Sequence, residues 1–294
     1  VLQEAVSFYS SFQQIKERKS KALWGNMGTG KIIMGNLNNI ENATKSQVLE
    51  LINKAYVPEN AILTIVGNVD YTDILQKIEN KFGIWDDVKV GLEERNVESE
   101  PGIYINKGSG NSTVLSIGFR APGYGTANRL AVEMMVRILG SGSLQSRILT
   151  EIRGKRGLAY NVGGFASFFE KRGTIGFTVV CDKNRSIETA KVLSDVIIQA
   201  REHGFNEDEI IREKHVMETN MILAIDNITE HLKYIGRCSS MDKNFYIENE
   251  IRLIRNIQKE YVDRAAKQLL CDLNMGVAVI GSSNAERLLE TIAV

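Results

Sequence analysis

The chain has 294 residues, 43% of them apolar and 24% charged, a composition typical of a water-soluble globular protein of about two domains. Its 36 basic and 36 acidic residues cancel, so no net field favours nucleic acid or an anionic membrane surface. No stretch approaches the roughly 20 uninterrupted apolar residues of a membrane span, so we expect neither nucleic acid nor a membrane as partner.

A glycine-rich segment near the start, residues 25–31, fits the first seven positions of a phosphate-binding loop. Such a loop needs a hydroxyl residue next, to hold magnesium, and a buried apolar strand before it. Here Ile32 follows, and the preceding residues 16–22 are mostly charged. We therefore interpret the segment as the C-terminal cap of a helix followed by a loop.

An internal repeat organises the chain, because residues 44–78 match residues 258–292 at a constant offset of 214. Each copy predicts a helix, an Asn-containing turn, a short apolar strand closed by Gly, and a second helix. In the first copy Thr44 is the expected N-cap, Pro58 ends the helix and residues 62–66 form the strand. The matched pairs include Lys45 with Lys259, Val48 with Val262, Asn60 with Asn274, Gly67 with Gly281, Leu75 with Leu289 and Ile78 with Ile292.

The repeat also divides the chain, since both copies end an α/β domain in the same way. We predict that residues 1–85 are the C-terminal part of a first domain, residues 86–102 a charged linker and residues 103–294 a complete second domain. By the same offset, the first domain would begin roughly 120 residues upstream of Val1.

In the second domain, strands come first and helices gather later. This order favours the α+β class, with two homologous α/β sandwich domains, each an antiparallel sheet with helices packed on it, and the first only partly present. The predicted strands are residues 103–105, 114–119, 159–167 and 174–181, and the predicted helices are residues 127–139 and 144–153, with helical periodicity over residues 186–267.

A Gly/Ser run, Gly140, Ser141 and Gly142, separates the two predicted helices. Such a run can hold an anion at a helix N-terminus, and we predict these three residues as substrate contacts. The alternative is a simple break in the helix, with Ser143 as the N-cap of the next one.

Histidines and cysteines offer no metal motif. No two histidines have the spacing that places two ligands on one helical face, and the chain contains no HxxEH. The cysteines lack CxxC pairing, so we interpret them as buried reduced thiols, which favours a cytoplasmic location. The residues are His203, His215 and His231, and Cys181, Cys238 and Cys271.

Residues 148–162 resemble the second-domain signature of the pitrilysin/insulinase-type zinc metallopeptidase family, in particular its mitochondrial processing peptidase-like branch. In that signature an Arg is followed by a short basic or polar loop and then by Leu-Gly/Ala-Tyr leading into a strand. Arg153 and Tyr160 match its Arg and Tyr. Residues 22–67 resemble the tail of the family's first domain, so the resemblance to a C-terminal portion spans nearly the whole chain.

The resemblance implies a clamshell of two similar domains around a peptide-binding chamber, with zinc in the first domain on HxxEH and a third Glu ligand. It implies that Arg153 and Tyr160 are catalytic and hydrogen-bond the substrate backbone and the oxyanion at the scissile carbonyl. It also makes Glu4 the candidate third zinc ligand. The alternatives are a helix-end charge for Arg153, a strand aromatic for Tyr160 and a solvated helix residue for Glu4.

In function, the resemblance implies part of a zinc-dependent endopeptidase that cleaves peptides or extended polypeptides, with this chain as the substrate-binding, oxyanion half. Its partners would be the missing N-terminal half or a homologous zinc-bearing subunit, in a homo- or heterodimer. Zinc would bind the complete enzyme, and we expect this chain alone to bind none and to be inactive. The alternative is a non-catalytic subunit of a processing-peptidase-like heterodimer, which binds peptide without hydrolysing it.

Overall fold

The computed structural model describes residues 1–26, 28–85, 99–108, 110–241, 243–281 and 285–292. Most of the predicted linker lies outside the described residues. None of the helices in the described part combines the length and the apolar character that a membrane span requires.

A five-stranded sheet lies at the centre of the described structure, in the order β1-β5-β2-β4-β3. The α+β class is confirmed, and most strand pairs are antiparallel as predicted. The pair β1–β5 is parallel. Parallel neighbours need a long connection, and the chain between these two strands, which contains several helices, provides it. The strands are β1 Ile103–Asn106, β2 Ser112–Pro122, β3 Ala159–Phe168, β4 Arg172–Asp182 and β5 Met275–Ile280.

Along the chain, helices lie before, between and after these strands. The predicted helix at residues 127–139 is α6, which continues into a π-helical turn, Arg137–Ser141, and the next predicted helix is α7, which continues into a second one, Thr150–Lys155. The helices are α1 Leu2–Ser10, α2 Ile15–Trp24, α3 Leu37–Glu41, α4 Lys45–Ala55, α5 Tyr71–Phe82, α6 Arg129–Val136, α7 Arg147–Leu149, α8 Ser186–His203, α9 Glu207–Asp226, α10 Ile228–Ser239, α11 Ile247–Arg255, α12 Lys259–Leu269 and α13 Ala285–Thr291.

The main core lies between one face of the sheet and the helices α6, α8 and α12. Alternate residues of the strands, such as Ile117, Phe177 and Val279, point into it and meet Met134 of α6 and Leu193 of α8 in one buried cluster. This alternation is the period of two that a half-buried strand requires.

Helix α2 packs on the opposite face of the sheet. Leu23 is buried against Gly118 of β2 and Gly276 of β5, where an added Cβ would lie 2.9 Å from the Leu23 side chain. The Trp24 indole N–H donates to the Thr174 hydroxyl at 3.0 Å. A helix that the repeat assigns to the first domain therefore covers the sheet of the second.

Two helix boundaries predicted from the sequence are confirmed. The Thr44 hydroxyl accepts a hydrogen bond from the Gln47 backbone N–H at 3.3 Å, which caps α4. Gly25 ends α2 with φ of 70° and donates to the Lys21 carbonyl at 2.8 Å. The glycine-rich segment thus follows a helix, unlike a phosphate-binding loop, which follows a strand.

The sequence repeat is also a structural repeat. Under the offset of 214 residues, α4 and α12 begin and end at equivalent positions, and α5 and α13 begin at equivalent positions. In each copy the Asn side chain of the turn donates to the last residue of the preceding helix, Asn60 to the Ala55 carbonyl and Asn274 to the Leu269 carbonyl, both at 2.9 Å.

The two copies differ in what covers them. Val48 is 49% exposed and its counterpart Val262 is 0% exposed, while Leu63 is 57% exposed and its counterpart Val277 is 2% exposed. β5 lies between two strands, whereas the strand predicted at residues 62–66 is not formed and pairs with no strand among the described residues. That prediction is wrong for this structure, because a strand needs neighbours to satisfy its backbone groups.

Candidate functional site

Tyr160 occupies a bulge at the start of β3. Ala159 pairs with Cys181 and Asn161 pairs with Val180, so Tyr160 is an extra residue without a partner in the ladder. A bulge interrupts the alternation of a strand and re-aims its side chain. The Tyr160 side chain accordingly points away from the core and is 79% exposed.

Arg153 lies in the π-helical turn that follows α7, and it meets Tyr160. Its guanidinium carbon is 4.1 Å from the centroid of the Tyr160 ring, a cation–π contact. Gly157, with φ of 55°, turns the chain between them and donates its N–H to the Arg153 carbonyl at 3.2 Å. The structure thus brings together the two residues that the sequence paired.

Buried neighbours hold this exposed pair in place. Ile152 and Leu158 flank the turn, and both are buried in the main core. The Leu158 N–H donates to the Ile152 carbonyl at 2.8 Å, and Arg185 donates to the Gly157 carbonyl at 3.1 Å. The loop between Arg153 and Tyr160 is therefore fixed at both ends.

Other charges beside the pair are compensated. Glu151 accepts hydrogen bonds from Lys155, at 2.6 Å, and from Arg156. These two hydrogen bonds, that from Lys155 first, lower the pKa of the Glu151 carboxyl. Arg153 and Tyr160 together present a guanidinium and a phenol on an exposed surface, and both groups can donate to a carbonyl oxygen or an oxyanion.

The Gly/Ser run lies where the first π-helical turn passes closest to β3. Gly140 is buried, and an added Cβ would lie 2.8 Å from the Phe177 ring and 3.2 Å from the Gly164 nitrogen. Gly142 donates to the Arg137 carbonyl at 2.7 Å. Packing thus explains Gly140, Ser141 is exposed, and substrate binding by this run stays a prediction.

The N-cap predicted for the next helix is wrong. Helix α7 begins at Arg147, and its N-cap is Ser146, whose side chain makes no capping hydrogen bond. Ser143 instead accepts from the Gln145 N–H at 3.1 Å. The short Ser turn competes with the helix for the same backbone groups, so the helix starts later.

Glu4 lies in the first turn of α1 and is exposed. The three histidines lie on three different helices, α8, α9 and α10. Within the described part of the chain, no group of three or more His, Cys, Asp or Glu side chains is arranged to hold a metal ion. A lone carboxylate does not fit the three or four ligands that zinc takes from a protein. The role of Glu4 as a ligand stays a prediction.

All three thiols are free. Cys181 and Cys238 are buried, as the sequence predicted, and Cys271 is half-buried.

Sequence reasoning missed a polar cavity between α6, α9, α10 and α11, at the opposite end of β3 from Tyr160. Arg129 and Glu133 line it from α6, and Arg137 lines it from the start of the π-helical turn that continues α6. Their spacing of four residues places all three on one helical face, and this charged stripe on an otherwise apolar helix was the available signal.

One protein-family model matches more than half of the chain. The model described as "Peptidase M16 inactive domain" matches residues 42–217. A protein of Mycobacterium bovis named as an uncharacterized zinc protease is 26% identical over 274 residues, which cover 91% of this chain and 62% of that protein. Another protein so named, from Rickettsia felis, is 27% identical over 276 residues, with 92% and 65% covered. The chain thus spans less than two thirds of these relatives.

A solved structure shares the fold. The crystal structure of a peptidase M16 inactive domain from Pseudomonas fluorescens matches with a TM-score of 0.84 and 19% sequence identity. The match covers 96% of this chain and 69% of that one.

Proposed function

From the premise that this chain belongs to the peptidase M16 inactive-domain family, we propose that it is the substrate-binding, oxyanion half of a zinc-dependent endopeptidase. Its substrates would be peptides or extended polypeptides. The observation that carries the proposal is the contact between Arg153 and Tyr160, two hydrogen-bond donors presented side by side on an exposed surface.

The chemistry of the pair supports this role. The guanidinium is planar and can donate two parallel hydrogen bonds to a substrate carbonyl. The phenol can donate one hydrogen bond to an oxygen on which negative charge develops. The bulge at Tyr160 and the buried flanks of the loop fix the backbone that carries both donors before substrate arrives. Such preorganisation is what an oxyanion site needs.

We include zinc in the proposal because the relatives are named zinc proteases. A bound zinc ion would supply an activated water and polarise the scissile carbonyl. The described residues do not make a zinc site, so we propose that the ligands come from the missing N-terminal half or from a homologous subunit.

The exposed first copy of the repeat supports the proposal that a half is missing. In the second copy, the strand β5 lies between β1 and β2 and packs against the core helices. If residues 61–66 take the place that β5 takes in the sheet, they need one parallel and one antiparallel neighbour. We propose that an upstream segment of the same polypeptide, or a homologous subunit in a dimer, supplies both strands. The free thiols are compatible with the cytosol, which we propose as the compartment.

The experiment is a cleavage assay on the complete polypeptide, with an extended fluorogenic peptide, in the presence and absence of a chelator. We expect chelator-sensitive cleavage, and we expect Tyr160→Phe to lower turnover by roughly a hundredfold through loss of the hydroxyl donor. The ring remains, so its contact with Arg153 and the fold should persist.

The matched control is Tyr246→Phe, which removes a hydroxyl from another exposed Tyr, outside the pair, and should leave turnover unchanged. Wild-type turnover in Tyr160→Phe would disprove the proposed role of Tyr160. Peptide binding without any chelator-sensitive cleavage by the complete wild-type protein would favour the alternative, a non-catalytic subunit.

A further inference from the structure

A cavity of about 360 Å³ lies between α6, α9, α10, α11 and the end of β3. We call it the α6–α10 cavity. Ala166 in its wall lies six positions after Tyr160 along β3, or about 20 Å at the rise of a strand. It is therefore separate from the Arg153–Tyr160 site, and its volume lies within the range of about 300–1,000 Å³ for small-molecule sites.

The floor of the cavity is apolar. Leu130, Met217, Met221 and Ile254 are all buried and line it, and Phe168 forms part of the wall. Methionine side chains adapt to ligands of different shape, because they are flexible and polarisable. The floor thus suits a small aliphatic or thioether group.

Two of the arginines in the wall already have partners. Arg129 donates to the Glu250 carboxylate at 2.6 Å, and Arg137 donates to the Glu213 carboxylate. Both pairs are largely shielded from solvent, which strengthens them. These arginines are therefore not available to neutralise a ligand.

Glu133 and Arg237 also face the cavity, and neither side chain makes a hydrogen bond to another described residue. The nearest cation to the Glu133 carboxylate is Arg129, at 3.6 Å, which is too long for a hydrogen bond. Arg237, at the mouth, lies 5.9 Å from the ring centroid of Tyr234, and no described carboxylate lies within 4.0 Å of it. Burial raises the pKa of Glu133 although three arginines favour its ionised form. Within the described part of the chain, the Glu133 carboxyl thus has an ion pair with Arg129 but no hydrogen-bond donor, and the exposed Arg237 guanidinium has no carboxylate partner.

We propose that the α6–α10 cavity binds a free α-amino acid with an apolar side chain. The ammonium group pairs with Glu133, the carboxylate pairs with Arg237, and the side chain packs on Met217 and Met221. The ligand is a zwitterion because three arginines around the cavity are balanced by three glutamates, so a purely anionic or cationic ligand would leave one charge uncompensated.

Isothermal titration of the complete polypeptide with three probes tests this chemistry. L-leucine carries both charges, N-acetyl-L-leucine lacks the ammonium and L-leucinamide lacks the carboxylate. We expect saturable binding of one L-leucine per chain, and binding at least about tenfold weaker for each blocked compound, since each loses one charge-assisted hydrogen bond. No saturable binding of L-leucine, or equal binding of a blocked compound, would overturn the proposal.

Two variants locate the site. Glu133→Gln and Arg237→Gln should each weaken L-leucine binding at least about tenfold. The controls, Glu230→Gln on the exposed side of α10 and Arg255→Gln on α11, should bind L-leucine as the wild type does. Unchanged binding in both cavity variants would refute the assignment.

A third variant covers the case in which a charge substitution disturbs the fold. Ser167 is exposed at the mouth, so Ser167→Trp should block entry and abolish binding while circular dichroism and Tm stay at wild-type values. Retained binding in this folded variant would also refute the cavity as the site. Because none of these readouts uses peptide cleavage, their outcome does not depend on the proposed peptidase function.

Discussion

Lys19 is a buried cation on α2. Its ammonium group lies 3.1 Å from the centroid of the Phe165 ring, and its stem covers Gly118 of β2. Burial, and to a smaller extent repulsion by Lys16, lowers the pKa of Lys19 from 10.5 to about 7. The contact with the ring offsets only part of the cost of desolvation.

This burial predicts a stability that rises with pH. The unfolded chain keeps the proton on Lys19 up to about pH 10.5, whereas the folded chain releases it near pH 7. Between these values folding is favoured further as pH rises, by up to about 1.4 kcal/mol per pH unit from this group. Lys19→Met should therefore stabilise the protein most at and below pH 7, and its advantage should shrink towards pH 10.

Urea unfolding at pH 6, 8 and 9.5 measures this difference. Lys267→Met, on the exposed face of α12, is the control and should change the free energy of unfolding by less than about 0.5 kcal/mol at each pH. An advantage of Lys19→Met that did not change with pH would contradict the argument.

At the scale of elements, glycines decide where α2 can lie. Gly118 and Gly276 occupy neighbouring strands in register, so together they form a flat area on the sheet. Leu23 fills this area, and side chains at either position would push the helix away. Glycine inside a strand often marks such a close approach.

Gly276→Ala should be destabilising by about 1–3 kcal/mol, because the new Cβ would lie 2.9 Å from Leu23 side-chain carbons and 3.0 Å from its backbone nitrogen. Gly163→Ala on β3 is the matched control, since an added Cβ there meets nothing within 4 Å. Chemical denaturation of both variants measures the difference. Equal decreases in the free energy of unfolding would show that the contact between α2 and the sheet is not tightly packed.

At the scale of the whole molecule, the two copies of the repeat differ in burial: the second copy is packed in the core and the first is exposed. Asn274 donates to the Leu269 carbonyl and also to the Arg120 carbonyl of β2, at 2.8 Å. In the first copy, Asn60 is described with only the equivalent of the first bond, to Ala55. The second acceptor would belong to the strand that we propose as the missing neighbour of residues 61–66.

This difference yields a paired prediction. In the 294-residue chain Asn274→Ala should cost about 1–3 kcal/mol, because it removes the donor of two hydrogen bonds, and Asn60→Ala, which removes the donor of one, should cost less than about 1 kcal/mol. In the complete polypeptide the two costs should become similar. Unfolding measurements on both forms test this, and a small cost of Asn60→Ala in the complete polypeptide would argue against equivalent surroundings for the two copies.

The sequence alone determined the α+β class and the repeat, because these depend on local patterns such as helix periodicity and capping by Thr44 and Gly25. The pairing of Arg153 with Tyr160 came from the resemblance of residues 148–162 to a family signature. Tertiary structure decided the rest. Contacts between residues far apart in the chain decide the parallel pairing of β5, the bulge that exposes Tyr160, the π-helical turns and the packing of α2 on the sheet. The α6–α10 cavity also required the fold, since Glu133 and Arg237 lie on separate helices and only packing leaves them facing one space.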